Sequence, residues 1–128
     1  MKKDFDKWNK IKKDIHYKSE SKFYHNREIW WCNLGINIGS EQDGDEKNYS
    51  RPVLILRGLS LNTCIIIPLT TSLEKHKMRI SIGKVQGKQA SVIISQIKVV
   101  DTKRLIYKIS FIDKEVFKGI TKAVKNLF

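Results

Sequence analysis

The sequence predicts a mainly β domain with helices: a small, strongly bent sheet or partly open barrel, with an amphipathic helix at each end. Three observations carry this. Between residues 27 and 111, five or more short apolar runs are separated by turn signals built on Gly, Pro and Asn. The N-terminal stretch has apolar residues at spacings of three and four. So does the stretch after Asp113.

The first helix is expected from Asp4 to Ser21, with Asp4 as N-cap and Phe5, Trp8, Ile11 and Ile15 on one stripe beside the Lys12 stem. That stripe docks either on the body or on a partner. Ser19 to Asn26 is polar and is expected to be a linker. Arg27 to Leu34 follows as a strand containing Ile29, Trp30, Trp31 and Cys32. Adjacent tryptophans on a strand face opposite sides. One therefore belongs to the core, and the other to the core, a dimer contact or a base-stacking platform. Gly35 to Ser50 is a long polar loop.

Pro52 to Arg57 is a compact strand with proline at its first position, where the missing N–H does least harm. Gly58 to Asn62 is a turn, and Thr63 to Leu69 a strand ended by Pro68 and the hydroxyl run Thr70-Thr71-Ser72. Met78, Ile80 and Ile82 alternate with polar residues, which marks a half-buried strand. Gly83 to Gly87 is expected as a turn and Ala90 to Ile94 as a strand. Asp101 caps a helical turn over Thr102 to Leu105, and Tyr107 to Phe111 forms one more strand. Asp113 caps a final helix reaching about Leu127, with Val116, Phe117, Ile120, Val124 and Leu127 on one face.

The 128 residues suit one domain, and 41% hydrophobic content suffices for a core. No apolar run approaches the roughly 20 residues of a membrane-spanning helix. The opening Met-Lys-Lys-Asp-Phe-Asp lacks the apolar core of a secretory signal. The expected location is cytoplasmic, without membrane association. Two cysteines, Cys32 and Cys64, lie in apolar strands as expected for inert thiols, and three scattered histidines form no metal-ligand pattern. No phosphate-loop or dinucleotide glycine motif occurs, so neither a metal nor another cofactor is expected.

Charge is the first functional clue. The net charge is +12, with +4 over residues 1–26, −3 over 27–50 and +11 over 51–128. A basic body attracts polyanions, although 20 of the 25 bases are lysines, which also serve solubility. The five arginines carry more individually, because a guanidinium grips phosphate with two hydrogen bonds.

One cluster stands apart. If the strands at 52–57 and 61–69 form a hairpin, Arg51 and Thr70 become neighbours beneath the loop 39–50, which carries Glu41. A carboxylate, a guanidinium and a hydroxyl suit phosphate-ester chemistry without a metal. The carboxylate takes a proton from a 2′-hydroxyl, the guanidinium stabilises the charge on phosphorus, and the hydroxyl donates to a phosphate oxygen. Each residue also has a plainer role: Glu41 as loop charge, Arg51 as a partner for carbonyls, Thr70 as a turn hydroxyl bonding its own backbone.

The run Arg27-Glu28-Ile29-Trp30-Trp31-Cys32-Asn33-Leu34-Gly35, then Gly39-Ser40-Glu41-Gln42, Arg51-Pro52-Val53-Leu54-Ile55-Leu56, Pro68-Leu69-Thr70 and Ser95-Gln96-Ile97 through Asp101-Thr102-Lys103-Arg104-Leu105 resembles the PemK/MazF toxin family, in the family's order and spacing. The resemblance implies an SH3-like barrel at residues 27–128, with residues 1–26 as an added helical extension and linker. It implies the toxin of a type II toxin–antitoxin pair, working as a homodimer neutralised by a cognate antitoxin. The implied activity is a metal-independent endoribonuclease cutting single-stranded RNA at short sequences, leaving a cyclic phosphate and a 5′-hydroxyl. By position, Arg51, Thr70 and Glu41 match catalytic residues. Gln42, Thr71, Ser72, Ser95, Gln96 and Lys98 fall in segments expected to line the RNA groove. Two features depart from compact members: residues 1–26, and the eight residues Asp43 to Ser50 between Gln42 and Arg51. That acidic loop is expected to repel RNA until it moves aside. Two other readings share the barrel: a non-catalytic RNA-binding module, and a gyrase-poisoning toxin acting on protein.

Overall fold

The computed structural model describes residues 3–18, 20, 22–35 and 49–128. Glu41, Gln42 and the acidic stretch 43–48 lie outside the described residues. In chain order the elements are α1 (Phe5–Lys18), β1 (Glu28–Asn33), β2 (Ser50–Gly58), β3 (Thr63–Thr70), β4 (Arg79–Val85), β5 (Lys88–Ile93), a 3₁₀ turn (Ile94–Gln96), β6 (Lys98–Asp101), a second 3₁₀ turn (Thr102–Arg104), β7 (Leu105–Phe111) and α2 (Lys114–Lys125).

Among the described residues, seven strands make one sheet in the order β4-β5-β3-β2-β1-β7, with β6 also paired to β3. All pairings are antiparallel, and β2–β3 is the hairpin expected from the sequence. Side chains alternate across the sheet and feed two cores. On one face Ile29, Leu54, Ile67, Leu69, Val92 and Ile94 pack with Ile120 and Val124 of α2. On the other, Trp30, Cys32, Val53, Ile55, Cys64, Ile66, Val100 and Leu105 pack together.

Several expectations change. The third strand does not end at Pro68 but continues through it to Thr70. Pro68 falls where the far edge of β3 passes from β6, paired to Thr63–Ile66, to β5, paired to Leu69 and Thr70. The expected turn at Gly83–Gly87 shrinks to Gln86-Gly87, between the paired residues Val85 and Lys88. Both turn residues have positive φ, 50° and 79°, the backbone of a two-residue type I′ hairpin. Gly83 instead sits at a register shift within β4. Lys98–Asp101, which has no clear alternation, is an additional strand held by β3.

Both caps are as expected. Asp4 Oδ1 accepts from Lys7 N at 3.0 Å, and Asp113 Oδ1 from Val116 N at 2.9 Å. Helix α1 docks on the body through Trp8, which is buried, whereas Phe5 is half exposed. The indole lies edge-on to Tyr49 and beneath the Arg104 guanidinium. It also fills the space beside Gly35, whose φ is +77°; a Cβ built there would stand 2.1 Å from the Trp8 ring. The linker is strapped down as well: Tyr24 donates to the carbonyls of Ser60 and Thr63, and Gly58 N donates to Asn26 Oδ1.

Glu28 anchors the start of β1. It accepts from Trp30 Nε1 at 3.0 Å and His25 N at 2.8 Å, and pairs with Lys108 at 3.4 Å. Burial acts to raise its pKa, but the indole, the backbone N–H and the ammonium outweigh it and hold the carboxyl below its ordinary value. Its stabilising effect is therefore complete above the unfolded value of about 4.3 and fades as pH falls through the lower folded value. Glu28→Gln should lower the melting temperature at pH 7 and flatten its dependence on pH below about 5. Gly35→Ala should cost about 2–4 kcal/mol from left-handed strain and overpacking, measured by urea unfolding; an unchanged midpoint would contradict the Trp8 contact.

Candidate active site

Arg51 is the second residue of β2 and lies opposite Cys32 of β1. The β2–β3 register pairs Val53 with Pro68, so continuing it brings Arg51 to the level of Thr70. Arg51 Nη1 donates to the Leu69 carbonyl at 2.9 Å, which holds the half-buried guanidinium across the hairpin end. Thr70 Oγ1 accepts from Ser72 N at 3.1 Å. A hydroxyl used that way keeps its hydrogen to donate elsewhere. The carbonyl-bonding and turn-bonding roles considered for these residues are thus realised, and each leaves the functional group oriented.

Arg51 and Thr70 line one cleft of about 160 Å³, with Trp31, Pro52, Leu69, Thr71, Val85, Gln86, Lys88 and Ala90. Trp31 is the tryptophan that walls this cleft, while Trp30 is buried in the second core. The far wall is the tip of the β4–β5 hairpin. Its contribution went unforeseen in the sequence, because only the two-residue turn carries Gln86 and Lys88 back to Arg51. The combination of cation, hydroxyl donor and aromatic wall can hold a phosphodiester and flank it with a base.

The other expected RNA-groove residues are spread out. Thr71 lines the cleft, but Ser72 lines a neighbouring open groove with His76, Arg79 and Gln89. Ser95 is exposed and Gln96 half-buried on the first 3₁₀ turn. Lys98 lies opposite Ile66, four residues along β3 from Thr70. None of these last three lines the cleft. Among the described residues, no three His, Cys, Asp or Glu side chains come together to hold a metal.

The two thiols stay out of this chemistry. Burial pushes Cys32 up to about 12, and burial with the nearby Asp101 carboxylate pushes Cys64 up to about 11. Neither side chain is exposed.

The family described as "PemK-like, MazF-like toxin of type II toxin-antitoxin system" matches residues 25–128. Endoribonuclease EndoA of Bacillus subtilis (strain 168) is 26% identical over 107 residues, covering 77% of this chain and 88% of that protein. The crystal structure of MazF (Form-I) from Deinococcus radiodurans superposes with a TM-score of 0.69 at 17% identity, over 83% of this chain and 96% of that one. An endoribonuclease in complex with its cognate antitoxin, from Mycobacterial species, gives a TM-score of 0.62 at 14% identity, over 81% and 93%. The mainly β fold with a helix at each end is thus a MazF-like fold.

A thiol reagent at pH 8 should leave the native protein unlabelled and modify both cysteines only after denaturation; fast native labelling would contradict their burial.

Proposed function

The chain belongs to the PemK-like, MazF-like toxin family of type II toxin–antitoxin systems, and from that premise we propose that it is a metal-independent endoribonuclease acting on single-stranded RNA. The observation that carries this reading is the Arg51–Thr70 pair at one cleft, with the guanidinium oriented by Leu69. Helpful context comes from the similarity to EndoA, an endoribonuclease.

The chemistry needs a base, a charge stabiliser and a protonated leaving group. In this reading Glu41 takes the proton from the 2′-hydroxyl, and that oxygen attacks the adjacent phosphorus. The phosphorus–5′-oxygen bond breaks, giving a 2′,3′-cyclic phosphate and, once the leaving oxygen gains a proton, a 5′-hydroxyl. Arg51 stabilises the charge built up on the phosphoryl oxygens. Thr70 donates one hydrogen bond to the same group. Gln42, Thr71, Ser72, Ser95, Gln96 and Lys98 contact the RNA on either side. The domain at 27–128 carries the activity, and residues 1–26 are an extension docked on it. A homodimer working in the cytoplasm and silenced by a cognate antitoxin completes the proposal.

Incubation with a long single-stranded RNA in EDTA tests it. Wild type should yield discrete fragments with 5′-hydroxyl ends. Arg51→Ala should slow cleavage by about 10²–10³-fold or more and Thr70→Val by less, with melting temperatures near wild type. RNA shifted on a gel but left intact would favour the binding module instead.

A further inference from the structure

Among the described residues, two buried side-chain polar atoms have no hydrogen-bond partner: Trp31 Nε1 and Asn33 Oδ1. Both belong to β1, two residues apart. The pairing of β1 with β2 is unbroken from Ile29 to Asn33, so strand alternation brings both side chains out on the face that carries Ile29. Along that face the character changes towards the cleft. Ile29 is buried in the core, Trp31 walls the cleft beside Arg51, and Asn33 ends the strand opposite Ser50.

Leaving a buried donor or acceptor unpaired costs about 1–3 kcal/mol each. Here two such costs fall on one face of β1, at Trp31, which lines the cleft, and at Asn33, the last residue of the strand. The indole N–H is only a donor, and the amide oxygen only an acceptor. The complementary group therefore offers an acceptor next to a donor. A phosphate offers acceptors alone and would set its charge against the Asn33 oxygen. A nucleobase edge offers both. Tyr107, the ring tilted against Trp31 at 6.3 Å, is half exposed on edge strand β7, so it can turn outward without vacating a core position.

We propose that Trp31 and Asn33 read one nucleobase of the RNA, the indole donating to an acceptor on its edge and the amide oxygen accepting from the N–H beside it. They thereby set the base preferred next to the bound phosphodiester. This rests on RNA as the ligand, and it deepens that reading by assigning sequence preference to the floor of β1.

The test is selective binding from a randomised pool of 2′-fluoro RNA, which lacks the attacking hydroxyl and cannot be cut. Wild type is compared with Trp31→Phe, which keeps the aromatic wall and removes the N–H, and with Asn33→Leu and Asn33→Asp. Wild type should enrich one base at one position by about tenfold or more. Trp31→Phe and Asn33→Leu should each reduce that preference to less than about threefold while salt dependence is unchanged, and Asn33→Asp, retaining an acceptor, should keep part of it. Unchanged preference in Trp31→Phe and Asn33→Leu overturns the proposal: a bridging water then satisfies both atoms. Unchanged preference with weakened self-association in sedimentation overturns it too, and assigns the pair to a contact between copies of the chain. Wild type that binds without base preference, or does not bind, also overturns it. Wild type that binds selectively but cuts no natural RNA leaves this inference standing and removes the nuclease reading alone.

Discussion

Strand β3 hydrogen-bonds along one edge to β2 and along the other first to β6 and then to β5. A strand with two partners on one edge must hand over between them, and the hand-over occurs at Pro68. Proline has no N–H to give to a ladder, so a junction between partners is a tolerable place for it in a central strand. The consequences reach both ends of the fold. Upstream, β6 closes the second core over Cys64 and Ile66. Downstream, β5 swings the β4–β5 hairpin towards the end of β2, where its tip meets Arg51. Without the hand-over, Thr70 would finish on an open edge rather than in a cleft.

The same geometry explains how the site tolerates its own polarity. Arg51 is only half-buried, and a guanidinium is weakly hydrated for a cation, so its placement beside Trp31 and Pro52 is less costly than an ammonium's would be. Its bond to Leu69 removes conformational freedom before any ligand arrives. The positive charge is spread more widely: α2 presents Lys114, Lys118, Lys122 and Lys125 to solvent while Ile120 and Val124 face the core. Such a field raises the encounter rate with a polyanion, while the cleft supplies the geometry.

Local signals made much of this legible in the sequence. The caps Asp4 and Asp113 and the amphipathic period of α2 lie within a few residues of what they determine. So does the β2–β3 hairpin that brings Arg51 to Thr70. What escaped depends on long-range partners. Lys98–Asp101 has no clean alternation, and only β3 makes it a strand. Gly83 looks like a turn until the register shift in β4 is known. The cleft's far wall required the exact turn, and the identity of the core tryptophan required Glu28, whose carboxylate takes the Trp30 N–H. Asn33 carries no sequence signal for such a role, since only the unpaired side-chain oxygen in the folded chain sets it apart.

The N–H groups of Leu34 and Gly35 both donate to the Tyr49 carbonyl, and Trp8 packs against Gly35 and Tyr49 alike. Gly35 and Tyr49, the described residues on either side of positions 36–48, are therefore tied into a closed neck clamped from outside by α1. A neck of this kind separates the length of the segment from the stability of the sheet. Once its ends are joined, doubling such a segment adds only about 0.6 kcal/mol of closure entropy. A segment joined at such a neck can lengthen, shorten or change its charge at almost no thermodynamic penalty to the sheet, which leaves it unusually open to evolutionary variation.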